Sequence, residues 1–206
     1  MPKKSLSYPN HELRKTTPLH DEAMIALSTA DKAQLISIIT KCNPPITSFL
    51  EECGIRGDDA EEYRESTGLI IDFLNDYVDE LTVETGVYVA YKQSADGVIS
   101  LKYSFNSFKI LVEVKTEIQS YSEVLEQINR YRNKLKITDA ILICDTVSEK
   151  EALGFISQRI SIYSATDLVL PMRANCAICA VTECPLNGMD NSPVFMCRRF
   201  STEEDD

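Results

Sequence analysis

The 206-residue sequence predicts an α/β protein with a mixed β-sheet flanked by helices. Three observations carry that expectation. Apolar residues recur at three- and four-residue spacing through residues 21–81, the period changes to two within residues 83–114, and helical stretches then alternate with short apolar runs. Alternation of period two suits a meander of antiparallel strands. A continuous run such as Ala140-Ile141-Leu142-Ile143-Cys144 suits a strand covered on both faces and reached by a helical crossover.

Residues 1–20 hold three prolines and both histidines without apolar periodicity, and are read as a flexible leader. A helical segment, 21–57, follows. Its helices are marked by Met24, Ile25 and Leu27, then by Asp31 as N-cap before Leu35, Ile36, Ile38 and Ile39, and, after Asn43-Pro44-Pro45, by Ile46, Phe49 and Leu50 ahead of Gly54. Residues 59–81 read as one long amphipathic helix whose stripe is Tyr63, Leu69, Ile70, Phe73, Leu74, Tyr77 and Val78. Strands are expected over 83–91, 98–105 and 108–114, with Asp96-Gly97 as a turn. A helix over 122–135 capped by Ser122, a strand over 140–144, a helix over 148–158 and a strand over 159–163 complete a core spanning 58–170. A cysteine-rich segment, 171–200, and an acidic tail, 201–206, close the chain.

With 44% hydrophobic and 26% charged residues, the chain has the composition of a globular protein with one sizeable core and a small appendage. No apolar run approaches the roughly 18 residues of a membrane span, and no secretory pattern opens the chain, so a soluble protein without a membrane partner is expected. Seven cysteines is an odd number, and four of them fall between Cys176 and Cys197. That clustering points to a metal site in a reducing, cytoplasmic setting rather than to disulfides. The formal charge of -11 argues against indiscriminate binding of polyanions. It is unevenly spread, however: residues 51–84 carry twelve acids against two bases, whereas residues 102–136 carry seven bases against four acids.

The locally basic stretch holds the pattern with the most chemistry. Glu113 and Lys115 lie two apart on one strand and project from the same face. Asp96, at the turn, opens the neighbouring strand, and a hairpin would bring its carboxylate beside Glu113. Two carboxylates at a strand end can hold Mg²⁺ or Mn²⁺ through oxygen, and an adjacent ammonium can orient water or stabilise transition-state charge. Gln127 and Tyr131, four apart, share a face of the following helix.

On these residues the chain resembles the PD-(D/E)XK nuclease superfamily. Ala95-Asp96 stands in the place of its Pro-Asp, Glu113-Val114-Lys115 is similar to its Glu-x-Lys, and Gln127 to Tyr131 looks like the Gln-x-x-x-Tyr motif of its RecB-like branch. The resemblance covers residues 62–163. It implies a restriction-endonuclease-like fold in which Asp96, Glu113 and the Val114 carbonyl bind Mg²⁺ or Mn²⁺, Lys115 positions the attacking water, and Gln127 and Tyr131 support the site. It also implies a further acid from the helix before the sheet, for which Glu65 is the choice and Asp72 and Asp76 are rivals. The missing proline and the Gly97 that follows Asp96 depart from the family pattern. Arg130, Arg132 and Lys134, with Lys136, make a basic edge on the Gln127 helix, suited either to phosphate or to solvent.

Cys176-x2-Cys179-x4-Cys184-x12-Cys197 has the spacing of a four-thiolate site able to organise a small loop-rich appendage. Zinc is the first expectation. An iron–sulfur cluster is the alternative, since Cys184-Pro185 is similar to the end of ferredoxin ligand runs and several RecB-like nucleases carry such a cluster. The expected function is metal-dependent hydrolysis of nucleic acid, DNA first. The competing readings are a catalytically inactive nuclease-fold scaffold that binds nucleic acid or protein, and a cysteine-based metal or redox sensor. Nothing in the sequence sets strandedness or oligomeric state.

Overall fold

A computed structural model describes residues 20–168 together with 172–173, 177, 182–189 and 196–197. Its centre is a five-stranded sheet in the order β1-β2-β3-β4-β5, formed by β1 (Glu80–Ala90), β2 (Gln93–Tyr103), β3 (Asn106–Glu117), β4 (Asp139–Thr146) and β5 (Ile160–Ser164). The first three strands form an antiparallel meander, and β3, β4 and β5 run parallel. The sheet is therefore mixed, as its two hydrophobic periods require.

One face carries the helices α1 (His20–Ser28), α2 (Lys32–Thr40), α3 (Pro45–Glu52), α4 (Asp58–Glu65) and α5 (Thr67–Tyr77), with the short α8 (Ala165–Leu168) against β4 and β5. The other carries α6 (Tyr121–Leu135) and α7 (Glu149–Ser157). Each face buries its own core. Leu27, Ile39, Phe49, Leu74, Ile99, Val112 and Ile141 fill the first, and Ala95, Leu111, Ile128, Leu142 and Phe155 the second. Phe49 anchors an aromatic cluster with Tyr103, Phe108 and Phe73 at centroid distances of 5.3, 5.5 and 6.2 Å, an arrangement worth about 0.5–1.5 kcal/mol per pair beyond area burial.

Several boundaries depart from the sequence expectation for identifiable reasons. The long helix over 59–81 is two helices. Ser66 adopts an extended conformation at φ -113° and ψ 98°, and its hydroxyl caps the second helix by accepting from the Leu69 N–H. Ser120, not Ser122, caps α6 by accepting from the Glu123 N–H. Asp31 caps α2 as expected, with Gln34 returning the bond to form a capping box.

The largest difference concerns Asp96-Gly97, which lies inside β2 and is not a turn. The chain reverses instead at Tyr91-Lys92, where Lys92 takes φ 56°. Two contacts override the local turn preference. Gly97 pairs with Val112 on β3 and Thr85 on β1, and a Cβ at Gly97 would lie 3.1 Å from Leu27 Cδ2. The glycine lets α1 settle onto the sheet.

Gly97 also pairs at the last register position shared by β2 and β3. Towards the tip, β1 and β2 continue as a two-stranded arm. Val83 packs into the α1-side core, while Val87 and Val89 pack on the α6 side, although a regular strand would put all three on one face. Gly86, at φ 65°, lies between them. The left-handed region costs an L-residue about 1–2 kcal/mol, and open space surrounds the position. Gly86→Ala is accordingly expected to destabilise the protein by about 1 kcal/mol and lower Tm by about 2–4 °C in thermal denaturation; an unchanged Tm would show that the arm does not need this conformation.

Candidate active site where the β2–β3 pairing ends

Glu113 and Lys115 lie on β3 and face one another as their spacing requires, with Lys115 Nζ donating to Glu113 Oε1 at 2.7 Å. Gln127 Nε2, from the second turn of α6, donates to the same oxygen at 2.6 Å and lies 3.3 Å from the Tyr131 hydroxyl. Gln127 and Tyr131 thus meet on one helix face, and Gln127 connects that face to the strand.

Asp96 approaches from β2. Its Oδ2 accepts from the Val114 N–H at 2.8 Å, so a side chain replaces the ladder bond just beyond the last β2–β3 pair. Its Oδ1 lies 3.5 Å from His20 Nε2, at the first turn of α1. The hydrogen bond with Asp96, set against partial burial, raises the His20 pKa above its ordinary value.

Glu113 is only 1% exposed. Burial first, and then the neighbouring Asp96 carboxylate, push its pKa up to about 7, against the lowering effect of Lys115. Its Oε2 is buried without a hydrogen-bond partner. A buried carboxylate with one oxygen unpaired beside a second carboxylate is an unfavourable arrangement by itself. A divalent cation held by both would relieve it, so the donor set fits one. Among the described residues no three His, Cys, Asp and Glu side chains are grouped closely enough to hold an ion. Two carboxylates suit Mg²⁺, which commonly keeps most of its waters and uses substrate phosphate for the remainder.

The other expected residues fall as follows. Glu65 is exposed at the end of α4, which packs on α3 and α5, and it takes no part in the polar contacts of Glu113. Arg132 is spent on structure: its Nη1 donates to the carbonyls of Thr138 at 2.9 Å and Gln158 at 2.8 Å, and its Nη2 donates to Asn129. Arg130 and Lys134 are exposed, with the Arg130 guanidinium 5.5 Å from the Tyr131 ring centre. Lys134 lies about 10 Å along the helix axis from Gln127.

Cys176, Cys179 and the side chain of Cys197 lie outside the described residues, while Cys184 is a half-buried free thiol. The short strands β6 (Met172–Arg173) and β7 (Met196–Cys197) pair antiparallel and so join the two ends of the cysteine-rich segment.

His20 is the residue that sequence reasoning missed at this site. The sequence places it in a leader, yet it begins α1, and the heptad-like return from Leu27 through Ala23 or Met24 is the signal available for it. Two clefts among the described residues lie elsewhere. One of about 400 Å³ includes Ser48, Arg56, Lys109, Asp139 and Arg159, and another of about 550 Å³ lies between the ends of α6 and α7. Ser48 and Arg159 there hydrogen-bond the buried Asp139 carboxylate, which gives that end a structural explanation. No protein-family model, curated protein or solved structure matches the chain. No helix among the described residues is long and apolar enough to cross a membrane.

Proposed function

We propose that this chain is a Mg²⁺- or Mn²⁺-dependent nuclease that hydrolyses DNA phosphodiester bonds on a restriction-endonuclease-like core. The observation that carries the reading is Glu113: buried, half-satisfied, beside Asp96, and bonded to both Lys115 and Gln127. Asp96, Glu113 and the Val114 carbonyl would hold the metal, which when bound supplies positive charge against the developing phosphorane. Lys115 holds its ammonium where it can position the attacking water and steady the charge of the transition state. Gln127 orients Glu113, and Tyr131 supports Gln127. His20 steadies Asp96 from the opposite side.

The cysteine-rich segment is proposed to bind zinc, with an iron–sulfur cluster as the alternative; metal analysis and visible absorbance of the purified protein separate the two. A catalytically inactive scaffold is the second reading, favoured by the net charge of -11 and by Ala95 in the place of the family's proline, and binding without cleavage identifies it.

The test is cleavage of labelled single- and double-stranded DNA and RNA by the full chain with Mg²⁺ or Mn²⁺. Wild-type protein is expected to cut DNA, chelator to stop it, and Lys115→Ala to slow it by about 10²- to 10³-fold. Equal cutting by both proteins, or no cutting with either metal, defeats the reading.

A further inference from the structure

The arm formed by β1 and β2 beyond Gly86 and Asp96 begins at the candidate active site and ends in exposed aromatic rings. Val87, Val89 and Ala95 fix it to the α6-side core. Tyr88 is 74% exposed and Tyr91 80% exposed, and Lys92 holds its ammonium 5.4 Å from the Tyr91 ring centre. Ser94 pairs with Tyr88, which puts Tyr88 roughly 7 Å along the strand from Asp96, and the Tyr91-Lys92 turn lies roughly 16 Å away. Residues 85–95 contain one lysine and no acid in a chain of net charge -11.

Large exposed rings on a hairpin held stiff at its base present π-faces without a large ordering cost. A stretch of chain without carboxylates, next to the candidate site of an acidic molecule, suits a phosphate backbone. A base offers its own face for stacking only when it is unpaired.

Resting on the nuclease reading of the adjoining site, we propose that the β1–β2 arm grips an unpaired polynucleotide strand that leads away from the scissile phosphate past Asp96, with Tyr88, on the face opposite Val87 and Val89, and Tyr91 at the turn stacking its bases and Lys92 contacting the backbone. The arm makes an unpaired strand the preferred substrate and leaves duplex to be held by the sheet end alone.

Fluorescence anisotropy tests this with the full chain in chelator, so that binding is read apart from cleavage. The probes are labelled mixed-sequence single strands of DNA and of RNA, and a blunt DNA duplex. Tyr88→Ala and Tyr91→Ala are each expected to weaken binding of the single strands by roughly 5- to 100-fold and that of the duplex less than about twofold. Tyr88→Phe and Tyr91→Phe should bind as wild type, because stacking needs the ring and not the hydroxyl. Phe105→Ala, at the exposed β2–β3 turn, is the control expected to change nothing. Unchanged single-strand binding by the alanine variants overturns the proposal, as does equal loss on duplex or absence of wild-type binding.

The two readings fail separately. Tyrosine-dependent binding without metal-dependent cleavage removes the nuclease and leaves the arm. Cleavage and binding that are both indifferent to Tyr88 and Tyr91 remove the arm and leave the nuclease.

Discussion

Glu113→Gln is expected to lower metal-dependent DNA cleavage by about 10³-fold or more while making the metal-free protein more stable. Both effects have one origin. The charged carboxylate is buried on β3 where the β2–β3 pairing ends, with Oε2 unpaired, and the Asp96 charge beside it adds repulsion. Removing the charge deletes a proposed metal ligand and, on that reading, several kcal/mol of transition-state stabilisation. The same change removes a desolvation cost in the folded state. Glutamine keeps the volume and retains an oxygen able to accept from Lys115 and Gln127. A gain of about 1–2 kcal/mol, or about 2–8 °C in Tm, is expected in chelator at neutral pH. A variant that loses both activity and stability would make Glu113 a structural residue.

The pH dependence of stability should show the same group. Folding raises the Glu113 pKa from the ordinary carboxylate value of 4.5 to about 7. The folded state therefore binds more protons than the unfolded state between those values, and the slope of unfolding free energy with pH is negative. Stability referable to Glu113 is full below about pH 4.5, declines as pH rises, and is lost above about pH 7, an effect of about 2–3 kcal/mol. His20, also raised, contributes with the same sign, so Glu113→Gln is the reference to subtract. Mg²⁺ at about 100 times its Kd should restore about 2.7 kcal/mol to the folded protein at the alkaline end. Urea unfolding from about pH 5 to about pH 8, with and without Mg²⁺, reads both effects. A metal-free difference between wild type and Glu113→Gln that does not change with pH would contradict the linkage.

How much of this was legible in the sequence follows from which periods are local. Glu113 and Lys115 were readable because a strand puts alternate residues on one face whatever the tertiary fold. Gln127 and Tyr131 were readable for the corresponding helical reason. Asp96 reached the right neighbourhood by the wrong route. Asp-Gly is a strong turn signal, but pairing with both neighbouring strands and the close seat of Leu27 on Gly97 hold it inside β2.

His20 was hidden because its role depends on how α1 lies across the sheet, which no local period encodes. The basic edge of α6 looked uniform from sequence. Arg132 nevertheless turns towards carbonyls at the ends of α7 and of its own connection, while Arg130 and Lys134 remain exposed. Glu65 belongs to a helix rich in acids, where charge gives no indication of which side faces the site. The break at Ser66 was similarly disguised, since the apolar stripe continues across it and only the hydroxyl cap marks the change.

The central claim is that Asp96 and Glu113 together hold a catalytic divalent ion. Its most direct test is a titration of Mn²⁺ into chelator-treated full chain, with free Mn²⁺ followed by electron paramagnetic resonance, for wild type and Glu113→Gln. Oxygen-ligated Mn²⁺ is a poor match for the thiolates of the cysteine-rich segment, so the signal reports on the carboxylates. The result expected is Mn²⁺ bound by wild type, more tightly as pH rises and protons leave Glu113 and His20, and lost in Glu113→Gln. Equal binding by the two proteins, or none by wild type, would contradict the claim.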